Sequence, residues 1–295
     1  MPIVAANGVN LHYLQAGDGP DMIMLHGFSG NLAVWHLRMV PMLQDDFRVT
    51  TIDLRGHGHS SMPPSGYTTR DMAHDLLAFM DAMNIEQADL VGHSYGADIV
   101  LHFALLFPHR ARKLILIEPG IPALVGDRNN ANWEGWANWA DVIGRLSGEP
   151  VPPERWADIG YMLRRSIDIP IVFGPARGLP RRKDRIVKLM ETTTVFADYV
   201  VVDELTLDNL ATIPHAKLLI YDGASAWLST FKVLRNLLTN CTPVILPASE
   251  LGHFAPLDAP ELLVEHLNQF MKVEEKRAQQ SALMPANGIP TYDEE

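Results

Sequence analysis

The chain has 295 residues, 47% of them apolar and 20% charged, with a net charge of −11 from 24 basic and 35 acidic side chains. This fits one large α/β domain, or a domain with a substantial insertion, able to bury its own core. The acidic balance argues against nucleic acid or an anionic membrane as the main partner, and a single cysteine, Cys241, excludes an intrachain disulfide.

In chain order the apolar pattern alternates between strand and helix. "IVAANGVNLHYLQAG" sets two β-rich runs around Asn7-Gly8, a hairpin signal. This start lacks the basic and apolar regions of a signal peptide, and no apolar run reaches the ~18 residues of a membrane span, so a cytoplasmic protein is expected. "DMIMLHG" reads as a buried strand, residues 31 to 44 as a helix, and "FRVTTIDL" as the next strand. "TTRDMAHDLLAFMDAMNI" is an amphipathic helix capped by Thr68 or Thr69. "ADLVGHS" and "RKLILIE" are strands flanking the helix "YGADIVLHFALLFP", which stops before Pro108. The alternation predicts an α/β fold with a mostly parallel sheet covered on both faces.

The rhythm breaks from about 121 to 213, where no clean buried strand appears and Trp133, Trp136, Trp139 and Trp156 cluster. A mostly helical insertion is expected there, with the basic run 180 to 185 as a solvated turn. "AKLLIYDG", a helix near 226 to 239, "CTPVILPA" and a last helix from about 259 to 276 resume the pattern. The expected division is a core of 1–120 and 214–276, an insertion of 121–213, and a mobile polar tail of 277–295.

The most informative stretch is "DLVGHSYGAD". Ser94 follows a strand and opens a helix, a turn that strains the serine backbone and leaves no room for side chains two residues away. Gly92 and Gly96 occupy those places. The turn lifts the hydroxyl clear of the sheet edge and aims a helix N-terminus at it.

With this elbow, three more motifs carry a resemblance to the α/β-hydrolases over nearly the whole chain, excluding the tail. "LHGFSG" (25 to 30) resembles the His-Gly turn after the third strand, and "DLRGHGHS" (53 to 60) the D-x-R-G-x-G-x-S loop after the fourth. "LGHFAPLDAPE" (251 to 261) resembles the loop that brings a catalytic histidine before the last helix. The resemblance implies an eight-stranded, mostly parallel sheet flanked by helices, with a helical cap inserted after the sixth strand.

It also implies roles. Ser94 is the nucleophile, and His253, one of twelve histidines, is its base, completing the order Ser, acid, His. The oxyanion hole falls on the N–H groups of Tyr95 and Phe28, with Gly27 an alternative to Phe28. His26 shapes its turn, and His57 with His59 forms an H-x-H pair lacking a third metal ligand at a recognisable spacing. No metal and no cofactor are expected.

The acid is where this sequence departs from the commonest pattern. The seventh-strand loop, usually G-x-x-D, reads "YDGASAW", which sets Ser225 in the aspartate place and leaves Asp222 about three residues early. Glu118, 24 residues after Ser94 (118 − 94), ends the sixth strand, so its carboxylate emerges at the same sheet edge. Zearalenone lactone hydrolases look similar, with a serine nucleophile and a glutamate after the sixth strand. Glu118 is the expected acid and Asp222 the alternative. The expected function is cleavage of a carboxylic ester or lactone of a bulky apolar small molecule through an acyl-enzyme on Ser94, under a roof lined by Trp133, Trp136, Trp139 and Trp156. Alternatives are C–C bond or thioester hydrolysis on the same residues, or a slow-turnover ligand receptor. Either a monomer or a homodimer fits.

Overall fold

A computed structural model describes residues 1–124, 133–167, 169 and 183–283. Eight strands form one sheet: β1 Ile3–Ala6, β2 Val9–Ala16, β3 Asp21–Leu25, β4 Arg48–Ile52, β5 Ala88–His93, β6 Ala111–Ile117, β7 Ala216–Asp222 and β8 Cys241–Leu246. Their spatial order is β1-β2-β4-β3-β5-β6-β7-β8. The β1–β2 and β2–β4 pairs are antiparallel and all later pairs parallel. Asn7 and Gly8 both take positive φ, 49° and 75°, as the predicted hairpin turn demands.

Side-chain alternation along the central strands builds two cores. Leu25, Leu90, Leu114, Leu116 and Leu219 face one side. Met24, Val91, Ile115, Ile117 and Ile220 face the other. Residues 31 to 44, expected as one helix, form two short ones, α1 Ala33–His36 and α2 Val40–Leu43. Pro41 at the start of the second lacks the N–H that would continue the first. The helix α3, Thr69–Ala82, begins as predicted at Thr68, with a reciprocal capping box between Thr68 and Asp71. α4, Tyr95–Leu106, is buried along nearly its whole length between α3 and the sheet.

Between β6 and β7 the described residues contain helices and no strand: α5 Glu134–Ser147, α6 Ile159–Ile167, α7 Lys183–Thr192, α8 Val195–Asp198 and α9 Leu207–Thr212. Residues 180 to 182 of the basic run lie outside the described residues; Lys183 to Arg185 open α7 instead of forming a turn. The insertion has its own small core, in which Trp136, Ile143 and Met162 pack with Leu251 from the loop after β8. α10, Leu228–Leu237, follows β7, and α11, Ala255–Asp258, precedes α12, Pro260–Leu283. The last helix therefore runs seven residues past 276, because "KRAQQSAL" holds no Gly or Pro to stop it. Residues 284–295, the remainder of the expected tail, lie outside the described residues. Among the described residues no helix is long and apolar enough to cross a membrane.

Candidate active site

β5 ends at His93, and Ser94 turns the chain into α4 with φ 53° and ψ −123°. No L-residue takes this conformation without strain, which persists only where packing enforces it. The two glycines permit the packing. A Cβ on Gly92 would lie 2.4 Å from the Gly96 carbonyl oxygen, and one on Gly96 would lie 2.3 Å from that of Leu25. The parallel ladder fixes the register at this edge. His93 pairs with Ile117, and Ile117 with Ile220. One step further on, the Ser94 N–H donates to the Ile117 carbonyl (2.8 Å) and the Glu118 N–H to that of Ile220 (2.9 Å). Ser94 and Glu118 thus leave adjacent strands at the same level of the same edge.

Glu118 also has positive φ, 55°, and is fully buried. Its Oε2 lies 3.2 Å from Nδ1 of His253. The Ser225 hydroxyl donates to Oε2 and the Asp222 N–H to Oε1, each at 2.5 Å. Burial pushes the Glu118 carboxyl well above the usual carboxylate range, and these two donors pull in the opposite direction. The chain beyond Glu118 is fixed from α4, where Asp98 accepts the N–H groups of Gly120 and Ile121 at 2.9 and 3.0 Å. Asp222 faces elsewhere: its carboxylate accepts the N–H groups of Ala224 (2.7 Å) and Ser249 (3.0 Å), joining the loops after β7 and β8.

The loop after β3 is set by the loop after β4. Asp53 accepts the N–H of Leu32 (2.8 Å) and that of His59 (2.9 Å), and pairs with His12 Nδ1 at 2.7 Å. His26 accepts the Leu54 N–H on Nε2 and donates from Nδ1 to the Gly27 carbonyl. It shapes the turn as expected, and burial, then its neighbour His57, lowers its pKa to about 3. His57 turns its two ring nitrogens to the carbonyls of Arg55 and Phe28. Among the described residues no three His, Cys, Asp or Glu side chains cluster as metal ligands. The amides of Phe28 and Tyr95 donate to no backbone carbonyl among the described residues; Tyr95 follows Ser94 in the chain, and Phe28 lines the same cavity as Ser94.

Comparison with known proteins gives the same architecture. The family model for the alpha/beta hydrolase fold matches residues 20–149. The enol-lactonase from Burkholderia xenovorans superposes with a TM-score of 0.65 at 23% identity, covering 92% of this chain and 100% of that one. The chain has the α/β-hydrolase fold. Among curated proteins, bifunctional epoxide hydrolase 2 of Sus scrofa is 34% identical over 107 residues, 36% of this chain and 19% of that protein. An acetyltransferase component of the acetoin cleaving system of Cupriavidus necator is 33% identical over 164 residues, 55% of this chain and 42% of that protein. The matches therefore span less than half the length of these curated relatives.

In this α/β-hydrolase fold, Ser94, His253, Phe28 and Trp139 border one cavity under the insertion. Its volume is ≈ 130 Å³, about ten times the ~10–15 Å³ that one water needs. Of the four tryptophans expected to line it, only Trp139 does. Trp136 is fully buried inside the insertion, Trp156 donates its N–H to the Val151 carbonyl, and Trp133 donates to Ser229. The three-residue spacing set Trp133, Trp136 and Trp139 on one helix face, but that face packs first on its own small core. Arg185, expected in a solvated turn, borders the cavity and donates to the carbonyls of Gly56 and Ser60, tying α7 to the loop after β4.

Two site residues escaped the sequence reading. His93 donates from Nε2 to the His253 carbonyl (2.7 Å), joining the elbow to the histidine loop. Burial, then the nearby His253, lowers its pKa to about 3, so it stays neutral. Trp227 borders the cavity with its ring centroid 4.4 Å from that of His253. The only signal for it was its place two residues after Ser225.

Proposed function

We propose that this protein is a cofactor-free serine hydrolase that cleaves a carboxylic ester or lactone of a bulky, largely apolar substrate. The observation that carries this reading is the 3.2 Å approach of Glu118 to His253 Nδ1, in one cavity with a strained, partly exposed Ser94. Ser94 Oγ attacks the carbonyl carbon and its proton passes to Nε2 of His253. The Nδ1–H of the resulting imidazolium donates to Glu118, whose negative charge it offsets. The Phe28 and Tyr95 amides donate to the oxyanion, and the N-terminus of α4 adds a favourable field. His253 then protonates the leaving alcohol, and a water activated by the same imidazole releases the acid. Asp222 keeps its two amide partners throughout, which supports Glu118 over Asp222 as the acid.

Aliphatic side chains of the insertion, among them Val142, Ile143, Ile159 and Leu163, wall the cavity beside Trp139. They support a substrate whose far end is apolar. The epoxide hydrolase relatives do not favour epoxide opening here. A serine hydroxyl would open an epoxide to an ether, which water does not cleave, so the enzyme would not turn over.

Mass spectrometry of zearalenone, a bulky macrolactone, incubated with wild type and with Ser94→Ala tests the proposal. A gain of one water with wild type only supports lactone hydrolysis by Ser94. If a fluorophosphonate leaves wild-type Ser94 unmodified and no ester or lactone is cleaved, the reading fails.

A further inference from the structure

The loop after β7 lacks an aspartate at the usual place, yet it converges on the proposed catalytic pair. Its Asp222 N–H and Ser225 hydroxyl hold Glu118. The same Ser225 oxygen accepts the backbone N–H of Trp227 at 3.1 Å. Trp227 is thereby set over His253, ring centroids 4.4 Å apart and planes inclined by 32°. That is a tilted stack, with the indole face toward the imidazole. Trp139 backs Trp227 at 5.4 Å and Trp133 at 6.1 Å. The indole Nε1 is buried and finds no acceptor among the described residues, so hydrogen bonding does not account for the ring's place. Its face does. An aromatic face within about 6 Å attracts a cation, and most strongly when the face is indole and the site is shielded from water.

We propose that Trp227 is a positioning residue that stabilises the protonated form of His253 through its indole face. The inference rests on the serine hydrolase reading, in which the imidazolium forms as Ser94 attacks. Several groups surround the His253 ring, among them the edge-on ring of Phe254 at 5.4 Å. Glu118 meets Nδ1, the neutral His93 ring lies 5.0 Å away and bonds the His253 carbonyl, and Trp227 covers a face. Asp222, the other acid of this loop, is held by Ala224 and Ser249. Trp227 adds stabilisation without adding a second charge near Glu118. The loop thus supplies, in place of the usual acid, a hydrogen-bond cradle for Glu118 and a cation-stabilising face for His253.

The test is the titration of His253 by NMR of histidine-labelled protein, with its signal assigned by its loss in His253→Gln. It compares wild type, Trp227→Phe and Trp227→Leu. A lost aromatic face disfavours the imidazolium, so the His253 pKa falls. The expected fall in Trp227→Leu is about half to one pH unit, with Trp227→Phe between the two. In parallel, kcat on the high-pH plateau of an ester substrate is expected to drop roughly 3- to 30-fold in Trp227→Leu. The acid limb of kcat/KM should move to lower pH by the same amount as the NMR titration. An unchanged or raised His253 pKa in Trp227→Leu overturns the proposal, as does a Phe variant that titrates with the Leu variant. The titration needs no turnover. A wild type that hydrolyses nothing but shows the shift would refute the hydrolase reading alone.

Discussion

Two regions meet at the cavity, and they are built on different rules. The sheet edge presents Ser94 and Glu118 from adjacent strands whose register the parallel ladder fixes, and His253 reaches them from the loop after β8. The insertion presents side chains from short helices, and those helices divide their apolar faces between their own core and the cavity. Trp136 goes inward while Trp139, one turn later, reaches the cavity. At the edge, backbone geometry decides position, and few alternatives exist. In the insertion, packing decides, and neighbouring residues of one type end in different places. The edge should therefore govern the chemical step and the insertion the choice of substrate.

The sharpest way to break this division is Ser94→Ala. Under the serine hydrolase proposal this removes the nucleophile, a loss that costs about 10⁴–10⁶ in kcat. Binding of substrate should be nearly unchanged, and circular dichroism should report an intact fold, since alanine relieves none of the packing that shapes the elbow. If steady-state kinetics on an aryl ester show less than a tenfold loss, the edge does not carry the chemistry.

Next in size is the contrast between the two acids. Glu118→Gln keeps the shape but no longer offsets the imidazolium charge, and kcat should fall about 10²–10⁴. Asp222→Asn retains an acceptor for one of its two amides and should stay within about tenfold of wild type. The same assay decides both. A dead Asp222→Asn beside an active Glu118→Gln would move the acid to the seventh-strand loop and undo the register argument.

These acids also mark how far the sequence could be read. The alternation of apolar runs gave the central parallel strands because a strand buried on both faces is a continuous apolar run whatever its neighbours, while the edge strand β8 was read although most of it is not buried. The position of Glu118 at the sheet edge was legible because an acid at the end of such a run has only one edge at which to emerge. His93 and Trp227 were not, because their roles depend on contacts across more than 100 residues, or on a loop whose conformation no local pattern fixes. Trp136 and Trp139 have the same local spacing and the same residue type. Only the packing of α5 against α6 and the β8 loop separates them. The one expected helix at 31 to 44 split at Pro41 for a local reason that was in view.

The insertion is probed by a pair of tryptophans. Trp139→Ala removes an apolar wall of the cavity and should raise KM for a bulky ester roughly 10- to 100-fold, with kcat within a few fold. Trp156→Ala lies away from the cavity and should leave KM alone while lowering stability by about 1–3 kcal/mol. Equal KM effects from the two would mean that the insertion responds as one unit, and that its division between core and cavity has no functional consequence.

The smallest effect sharpens the view of the edge itself. Burial raises the Glu118 carboxyl above the range of an unfolded chain, where it titrates near ~4.3. As pH rises through that range, the unfolded chain releases this proton before the folded one does. The unfolded state then binds fewer protons, so this group's contribution to stability falls with rising pH. Glu118→Gln has no such proton to lose. Its melting temperature relative to wild type should climb between pH 4 and pH 8, while its activity remains low throughout that interval. Thermal melts across this range read the sign directly. A relative melting temperature that stays flat or declines would mean that the Ser225 hydroxyl and the Asp222 N–H fully offset the burial of the charge. A climb would mean that the edge holds its acid at a cost to the fold, which the insertion, with Trp136, Ile143 and Met162 at its centre, does not incur.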